Sequence, residues 1–414
     1  MYTVRRVLLV VIATTLLARQ GVQAAEPLRI ATIQPLSGPF ALQGEEIAKQ
    51  LRAMAERFNA KGGIFDGRKI EIVALDGKAN AQDSLLALKQ ATDANIRYIH
   101  SNISSVVHAL SDGIAKYNAR NPDRRVLLIN TDGRDPALSE AKCNFWHFRL
   151  NYHTDTEVGF LTDYLAQQSN VRKVYLINQD YAYGQAIQRA SREQLPRKRP
   201  GVQIVGEDLI PLGKVKDFAP YAAKIRASGA DSVVTGNWGN DMFLLVRAGH
   251  DAGLDVRYYV LVGNIAGTTA GLGDAGVGKV FSLFPWHANA ESNPYESFNE
   301  EYKLKYKSTS NFDYIPAHRA ITVLAQALEK ARSDDPLKVA YALEGMAFDG
   351  PEGRTWIRRE DHQMVAPLYL ARLTKAGESG VKFDVDNTGF GWKTVSKAEA
   401  KDAVPPIRCS MERP

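Results

Sequence analysis

The chain has 414 residues, of which 45% are hydrophobic and 24% are charged, and its formal net charge is +6 at pH 7. Lysine and arginine are spread along the chain rather than gathered in one stripe, which argues against a nucleic-acid-binding surface. A chain of this length exceeds what one hydrophobic core comfortably holds, so we expect two lobes.

The N-terminus has the pattern of a secretory signal peptide. Arg5 and Arg6 precede an apolar run at residues 7–17, and small residues surround Ala24. Because this run is shorter than the roughly 20 residues that span a bilayer, we expect cleavage after about Ala24 rather than retention as an anchor. The sequence therefore predicts export to the periplasm, with the signal peptide, residues 1–24, removed.

The chain contains two cysteines, Cys143 and Cys409. In an oxidising compartment two cysteines more often pair than stay free, and no C-x-x-C spacing suggests a metal site. We therefore predict a disulfide that ties the C-terminal tail to the end of the first sequence block. The eight histidines show no metal-ligand spacing either, so we expect no metal and no cofactor.

The first block alternates short β-rich runs with helical stretches. Predicted strands lie at residues 28–34, 69–75, 96–102 and 125–131, and Lys61-Gly62-Gly63 ends an amphipathic helix that follows the first strand. This β-α-β-α order predicts a parallel sheet that is covered by helices on both sides.

The same alternation restarts after residue 149. The predicted strands and helices are, in order, a helix at 154–168, a strand at 173–178, a helix that begins near Tyr183, strands at 202–209, 231–236 and 257–262, and helices at 217–227 and 241–252. The second block therefore predicts a second α/β lobe with the architecture of the first.

The last part of the chain is longer than a C-terminal tail requires. A strand at 279–284 and helices at about 294–307 and 315–331 predict that the chain crosses back into the first lobe. A later return near Gly350 would give three crossings, a layout that suits hinge motion. We therefore assign residues 25–148 and 281–351 to lobe 1, and residues 149–280 and 352–414 to lobe 2.

One glycine-rich stretch matches two nucleotide-binding motifs, but the context of each is wrong. Residues 271–276 match G-x-G-x-x-G without directly following a strand, so we interpret them as a flexible glycine loop. Residues 273–279 match G-x-x-x-x-G-K, but Val280 stands where a P-loop needs Ser or Thr. No G-x-S-x-G elbow is present. A Ser-His-Asp triad can form from residues that are distant in sequence, so the sequence does not exclude one, but no motif supports an enzyme.

Four segments of the chain together carry a family resemblance. They are Ile33-Gln34-Pro35-Leu36-Ser37-Gly38-Pro39, Asn59-Ala60-Lys61-Gly62-Gly63-Ile64, Asp180-Tyr181-Ala182-Tyr183-Gly184 and Phe348-Asp349-Gly350-Pro351-Glu352-Gly353. In this order they resemble the branched-chain amino-acid binding protein family, the type I periplasmic binding proteins of ABC importers. The resemblance covers nearly the whole chain after the signal peptide. It implies two lobes joined by three hinge strands, and no catalytic residues.

In lobe 1 the resemblance implies that Ser104, with Ser105 beside it, binds a ligand carboxylate. A helix N-terminus offers free backbone amides and a positive dipole end to an anion, although Ser104 could instead be only an N-cap. The family's second carboxylate-side cluster falls on Asp132 and Arg134. Arg134 could grip a carboxylate through two hydrogen bonds, or Asp132 could neutralise it in a surface ion pair.

In lobe 2 the resemblance implies an aromatic wall of Tyr183 and Trp238. Both follow predicted strand ends, where open parallel sheets place ligands, although Tyr183 could instead belong to the core. The family's acidic residue for the ligand ammonium falls on Asn264, which offers only a dipole where a charge is expected. The sequence therefore favours an acid without an amine, such as an aromatic or branched organic acid, over an α-amino acid.

These inferences predict the periplasmic substrate-binding component of an ABC importer. It would hold a small carboxylate between its lobes and deliver it to a permease in the inner membrane. A branched-chain amino acid is the alternative ligand, a sensor for a signalling receptor is the alternative role, and a hydrolase is less favoured. We expect a monomer.

Overall fold

The structure is a computed structural model, and it describes residues 26–263, 265–291, 293–312, 314–378 and 380–414. The predicted signal peptide lies outside these residues. The described chain forms two α/β lobes, each built on a largely parallel sheet with flanking helices. This is the fold class that the sequence predicted.

The first lobe is built on five parallel strands. They are β1 (Leu28–Gln34), β2 (Ile70–Asp76), β3 (Tyr98–Ser101), β4 (Leu127–Asn130) and β5 (His147–Arg149). The helices that connect the first four are α1 (Ala41–Ala60), α2 (Ala81–Asp93) and α3 (Ser104–Arg120). The strand order is β2-β1-β3-β4-β5, and every residue of β3, β4 and β5 is buried, as expected for strands covered on both faces.

The second lobe begins with a helix and repeats the alternation. Its strands are β6 (Lys173–Gln179), β7 (Gln203–Ile210), β8 (Ser232–Thr235), β9 (Arg257–Val260) and β10 (Val280–Phe284). Its helices are α4 (Thr154–Ala166), α5 (Ala182–Lys198), α6 (Ala219–Ser228), α7 (Asn240–Asp251) and α8 (Thr268–Gly276). These strands pair in parallel in the order β10-β9-β8-β6-β7.

The chain then returns to the first lobe. The helices of this return are α9 (Glu296–Tyr306), α10 (Tyr314–His318), α11 (Leu324–Ala331) and α12 (Pro336–Leu343), and a π-helical turn at Arg319–Val323 joins α10 to α11. Helices α9 and α10 and the π-helical turn pack against α1 of the first lobe. These contacts with α1 agree with a return of the chain to the first lobe, which stays a prediction.

Two small antiparallel elements complete the fold. The strands β11 (Ala347–Gly350), β12 (Gly353–Ile357) and β13 (Met364–Val365) form a separate sheet. The strands β14 (Leu368–Lys375) and β15 (Phe390–Ala398) add to the edge of the second lobe, so its sheet has the order β15-β14-β10-β9-β8-β6-β7. The chain thus leaves the first sheet after β5, leaves the second sheet after β10 and rejoins the second sheet at β14.

Alternate residues of the second sheet face different cores, because successive side chains of a strand point to opposite faces. In β8, Val233 packs into the core formed with α6 and α7, whereas Val234 packs into the core that continues into the first lobe. The inner strands β6, β8, β9 and β10 of the second sheet are therefore buried on both faces, which explains why they are richer in apolar residues than the edge strand β7.

The predicted disulfide is confirmed: Cys143 is bonded to Cys409. Cys143 lies between β4 and β5 in the first lobe, whereas the tail that carries Cys409 leaves β15 in the second lobe. The tail also contacts helix α12, where the Tyr341 hydroxyl donates to the Pro414 carbonyl at 2.8 Å. The disulfide therefore adds a covalent link between the lobes.

Two lobe boundaries differ from our expectation. Strand β10 pairs with β9 and β14 in the second sheet, whereas we assigned residues from 281 onward to lobe 1. Strands β12 and β13 pair outside the second sheet, and Gln363 forms a bridge with Arg149 of β5, whereas we assigned residues from 352 onward to lobe 2. Local periodicity identifies a strand but not the sheet it joins, because pairing depends on contacts that are distant in sequence.

The glycine-rich stretch 271–276 lies in α8 and not in a loop, so that prediction is wrong. The helix is kinked at Gly273, which has φ 49° and ψ −148°, a conformation that glycine adopts without a steric penalty. Helix α8 does not directly follow β9, so the stretch still lacks the strand-turn-helix context of a dinucleotide site.

Candidate ligand-binding cleft

A cavity of about 180 Å³ lies between the lobes, at the carboxyl ends of strands of both sheets. Residues that follow β1, β3 and β4 line it from the first lobe, and residues that follow β6, β8 and β9 line it from the second. Open parallel sheets bind ligands at this edge. The volume is close to that of an apolar cavity of about 150 Å³ that holds a benzene molecule, so the cavity fits a small solute.

An ion cluster of Asp132, Arg134 and Glu157 joins the two lobes beside this cavity. Arg134 Nε lies 2.6 Å and Nη2 lies 2.5 Å from Asp132 Oδ1, and Nη1 donates to Glu157 Oε1 of α4 at 2.5 Å. Nη1 also donates to the Leu261 carbonyl, just after β9, at 3.1 Å. Asp132 therefore pairs with Arg134, as the alternative predicted, but in a buried cluster and not at the surface, because Arg134 is 4% exposed and Glu157 is fully buried.

Burial governs the acid–base properties of the cluster. It raises the pKa of Asp132, although the Arg134 guanidinium opposes this shift. Burial also raises the pKa of Glu157 to about 7, because its desolvation outweighs the attraction of Arg134. Among the described residues that line the cavity, Arg134 is the one permanent cation, and each of its three nitrogens already lies next to a protein carboxylate.

One carboxylate oxygen of Asp132 is unpaired in the part of the chain that the structure describes. Its Oδ1 accepts from Arg134 and from Asn151 Nδ2 at 2.6 Å, whereas Oδ2 has no hydrogen-bond partner among the described residues. The Asp132 side chain is also 23% exposed, against 5% for Arg134. The cluster therefore presents a hydrogen-bond acceptor, rather than a cation, to the cavity.

Ser104 and Ser105 are not among the residues that line the cavity. Ser104 is the first residue of α3 and is buried, and its hydroxyl accepts the Arg134 backbone N–H at 3.0 Å. The N-cap of α3 is Ile103, so the alternative of Ser104 as N-cap is wrong. Asn102 and Ile103, immediately before α3, do line the cavity. Direct contact of Ser104 or Ser105 with a ligand stays a prediction.

The predicted aromatic residues Tyr183 and Trp238 both line the cavity, together with Tyr181. Trp238 Nε1 donates to the Tyr181 hydroxyl at 2.9 Å, and the rings of Tyr181 and Tyr183 lie 6.1 Å apart between centroids. From the first lobe, the Phe40 ring lies 4.2 Å from that of Trp238. The sequence analysis missed Tyr181, although its position directly after β6 and two residues before Tyr183 was a usable signal.

Another part of the lining, which the sequence analysis missed, consists of Trp286, His287 and Trp392. We call these three residues the indole wall. They come from the segment after β10 and from β15, two elements that meet only because β14 pairs with both β10 and β15. His287 Nε2 lies 2.8 Å from Thr394 Oγ1. No local motif marks these residues, so the sequence carried no signal for them.

Asn264, which the sequence analysis placed at the ammonium position, lies outside the described residues. Its neighbours Val262 and Ile265 both line the cavity. The role of Asn264 stays a prediction.

In the part of the chain that the structure describes, no three or more His, Cys, Asp or Glu side chains are gathered so that they could hold a metal ion. No helix in these residues combines the length and the apolar character that crossing a membrane requires.

Comparison with known proteins identifies the family. The family model described as periplasmic binding protein matches residues 27–378. The Leu/Ile/Val-binding protein homolog 4 of Brucella melitensis is 27% identical over 399 residues, which cover 94% of each chain. The leucine-, isoleucine-, valine-, threonine- and alanine-binding protein of Brucella ovis, solved in a closed conformation, is 26% identical with a TM-score of 0.81, and the match covers 94% of this chain and 100% of that one.

A third relative supports the fold alone. The solute-binding protein of an ABC transporter from Rhodopseudomonas palustris, solved with 3,4-dihydroxybenzoic acid, is 18% identical with a TM-score of 0.76 and covers 90% of this chain and 98% of that one. The relatives are binding proteins and not enzymes. A match over most of the chain, in the order of elements that the structure shows, establishes that this chain belongs to the periplasmic binding protein family and is a type I member related to the branched-chain amino-acid binding proteins.

Proposed function

We propose that the protein is the periplasmic substrate-binding component of an ABC importer and that its ligand is a small amino acid with a largely apolar body. In this proposal residues 1–24 direct export, the three passages between the sheets act as hinges, and a closed monomer delivers the ligand to the permease. The family and the two-lobed fold support the role. The lining of the cavity supports the ligand class.

The observation that carries the ligand class is the free acceptor oxygen of Asp132 beside an arginine that is already neutralised. A ligand ammonium placed at Asp132 Oδ2 would be paired, as a buried charge has to be. An acid without an amine would instead meet the carboxylate of Asp132 with no free cation in the described lining to balance it. The structure thus favours the alternative ligand of the sequence analysis over the amine-free acid.

The rest of an amino acid has complementary surroundings. The backbone amides at the start of α3, next to Asn102 and Ile103 in the lining, offer donors and a positive dipole end to the α-carboxylate. The rings of Tyr181, Tyr183 and Trp238 offer an apolar surface to the body of the ligand. The names of the Brucella relatives, a Leu/Ile/Val-binding protein homolog and a leucine-, isoleucine-, valine-, threonine- and alanine-binding protein, agree with this ligand class.

An aromatic or branched acid without an amine is the second candidate. It is favoured by Asn264, if that residue takes the place of the family's acid, and by the aromatic lining of the cavity. A protonated Asp132, whose pKa is raised by burial, could accommodate a carboxylate better than an ionised one.

Pairs of ligands that differ only in the α-amino group distinguish the two candidate ligand classes. Isothermal calorimetry would compare leucine with 4-methylpentanoate and phenylalanine with 3-phenylpropanoate, on the wild type and on Asp132→Asn. We expect the amino acid of each pair to bind at least tenfold more tightly to the wild type, and Asp132→Asn to remove most of that difference. Tighter binding of the amine-free acids, with no loss in Asp132→Asn, would refute the amino-acid proposal.

A variant of another acid provides the control. Asp155 lies at the start of α4, outside the cavity, where it pairs with the exposed Arg189 at 2.8 Å. Asp155→Asn removes the same charge and should leave the preference for the amino acid unchanged.

A further inference from the structure

A closely packed aromatic contact joins the two lobes next to the cavity. Phe40, which directly precedes α1 in the first lobe, is 4% exposed, and its ring lies 4.2 Å from the ring of Trp238 in the second lobe. Trp238 lines the cavity, whereas Phe40 does not. Phe40 therefore packs against a residue of the cavity wall without itself belonging to that wall.

Two glycines of the second lobe leave the space that the Phe40 ring occupies. A Cβ atom added at Gly213 would lie 2.7 Å from Phe40 Cζ, and one added at Gly239 would lie 3.5 Å from Phe40 Cδ1. Carbon atoms in favourable contact are about 3.5–4.0 Å apart, so a methyl group at Gly213 would overlap the ring. We call Gly213, Trp238 and Gly239 the Phe40 socket.

Hydrogen bonds within the second lobe hold the socket together. Asp241 of α7 is 1% exposed, and its Oδ2 accepts the Gly213 backbone N–H and the Gln179 Nε2 amide, each at 2.8 Å. Gln179 Nε2 also donates to the Trp238 carbonyl at 3.3 Å. Because these three bonds do not involve the first lobe, separation of the lobes breaks none of them and removes only Phe40 from the socket.

We propose that Phe40 in its socket stabilises the closed form of the protein and so changes the affinity for every ligand by one common factor, without contributing to selectivity. The contact is made only when the lobes are together, so its free energy favours the closed form alone. The apparent dissociation constant of a ligand that needs the closed form rises as the closed fraction of the free protein falls. This rests on the proposed function, because it assumes that a ligand binds between closing lobes.

The first test measures affinities of different ligands with and without the Phe40 ring. Calorimetry on the intact mature protein would use leucine, phenylalanine and their amine-free analogues 4-methylpentanoate and 3-phenylpropanoate. We expect Phe40→Ala to weaken each probe that binds by about tenfold, with factors that agree within threefold. The control is Phe58→Ala, which removes a half-buried ring of α1 outside the cavity and the socket and should change each affinity by less than twofold.

Gly213→Ala tests the same contact from the second lobe. Its methyl group meets Phe40 only in the closed form, whereas the strain of a side chain at φ 65° is present in both forms and cancels from the affinity. We expect Gly213→Ala to weaken binding about tenfold in the wild type and less than twofold when it is added to Phe40→Ala, because residues in contact have non-additive effects.

Small-angle X-ray scattering provides a measurement that needs no ligand. We expect a larger radius of gyration for ligand-free Phe40→Ala than for the wild type, and no change in Phe58→Ala. Affinity losses that differ among the probes, additive effects in the double variant, or an unchanged radius in Phe40→Ala would overturn the inference. If amine-free acids alone bind, with one common factor, the amino-acid proposal fails and this inference stands. If no probe binds, the proposed ligand class fails and the radius of gyration alone decides this inference.

Discussion

Replacing Arg134 by Met would test the energetic role of the ion cluster. The substitution keeps a long apolar side chain but leaves the buried carboxylates of Asp132 and Glu157 without the guanidinium that lies within 2.6 Å of both. It also removes the hydrogen bond to the Leu261 carbonyl. Breaking a buried ion pair by removing one partner costs about 3–5 kcal/mol, so we expect a loss of that size in the free energy of unfolding.

The loss should depend on pH, and the sign follows from the pKa of Glu157. Burial raises this pKa from 4.5 to about 7, so the folded protein holds the proton more tightly than the unfolded chain does. The stabilisation that the folded protein gains by binding this proton on Glu157 is complete below pH 4.5 and is lost as the pH rises through about 7. Arg134 lowers this pKa, so its removal should raise the pKa of Glu157 further and make stability depend more strongly on pH. Arg134→Met should therefore lose less stability at pH 5 than at pH 8.

Urea unfolding of the wild type and the variant at both pH values would measure these losses. A matched control is Arg189→Met, which removes the 48% exposed partner of Asp155 and should cost under about 1 kcal/mol. Adding Glu157→Gln to Arg134→Met should recover part of the loss, since one of the stranded charges is gone. A loss below about 1 kcal/mol at pH 8, or the same loss at both pH values, would refute the reasoning.

Three further predictions concern the cleft and the tail. Trp238→Ala should weaken ligand binding by about 2 kcal/mol or more, measured by calorimetry, because it removes the ring that contacts Phe40 and Tyr181. An unchanged affinity would show that Trp238 does not contribute to the binding site. Ser104→Ala should lower stability to urea by about 1 kcal/mol through the lost hydrogen bond to the Arg134 backbone, and a large loss of affinity with intact stability would instead indicate ligand contact. Joint replacement of Cys143 and Cys409 by Ser should cost about 2–5 kcal/mol in the same assay, and titration of the denatured, unreduced wild type should find no reactive thiol.

Much of the fold could be predicted from local patterns, because strand and helix periodicity is written in neighbouring residues. The predicted strand at 28–34 has the observed bounds of β1, and the predicted helix at 154–168 extends only two residues beyond α4. The predicted loop at 271–276 failed, because glycine lowers helix propensity but cannot report that the stretch packs against α7.

The sequence by itself predicted the two lobes from length and alternation, and the Cys143–Cys409 pairing from the number of cysteines. The family, and the placement of Tyr183 and Trp238 at the cavity, followed from the resemblance of four ordered segments to known binding proteins. Only the tertiary structure decided that Arg134 is paired with Glu157, which is 23 residues away in sequence, and that Trp286 and Trp392 line the same cavity. Contacts between segments that are distant in sequence decide which sheet a strand joins and which charge a side chain faces across a cleft. No local pattern in the sequence records these contacts.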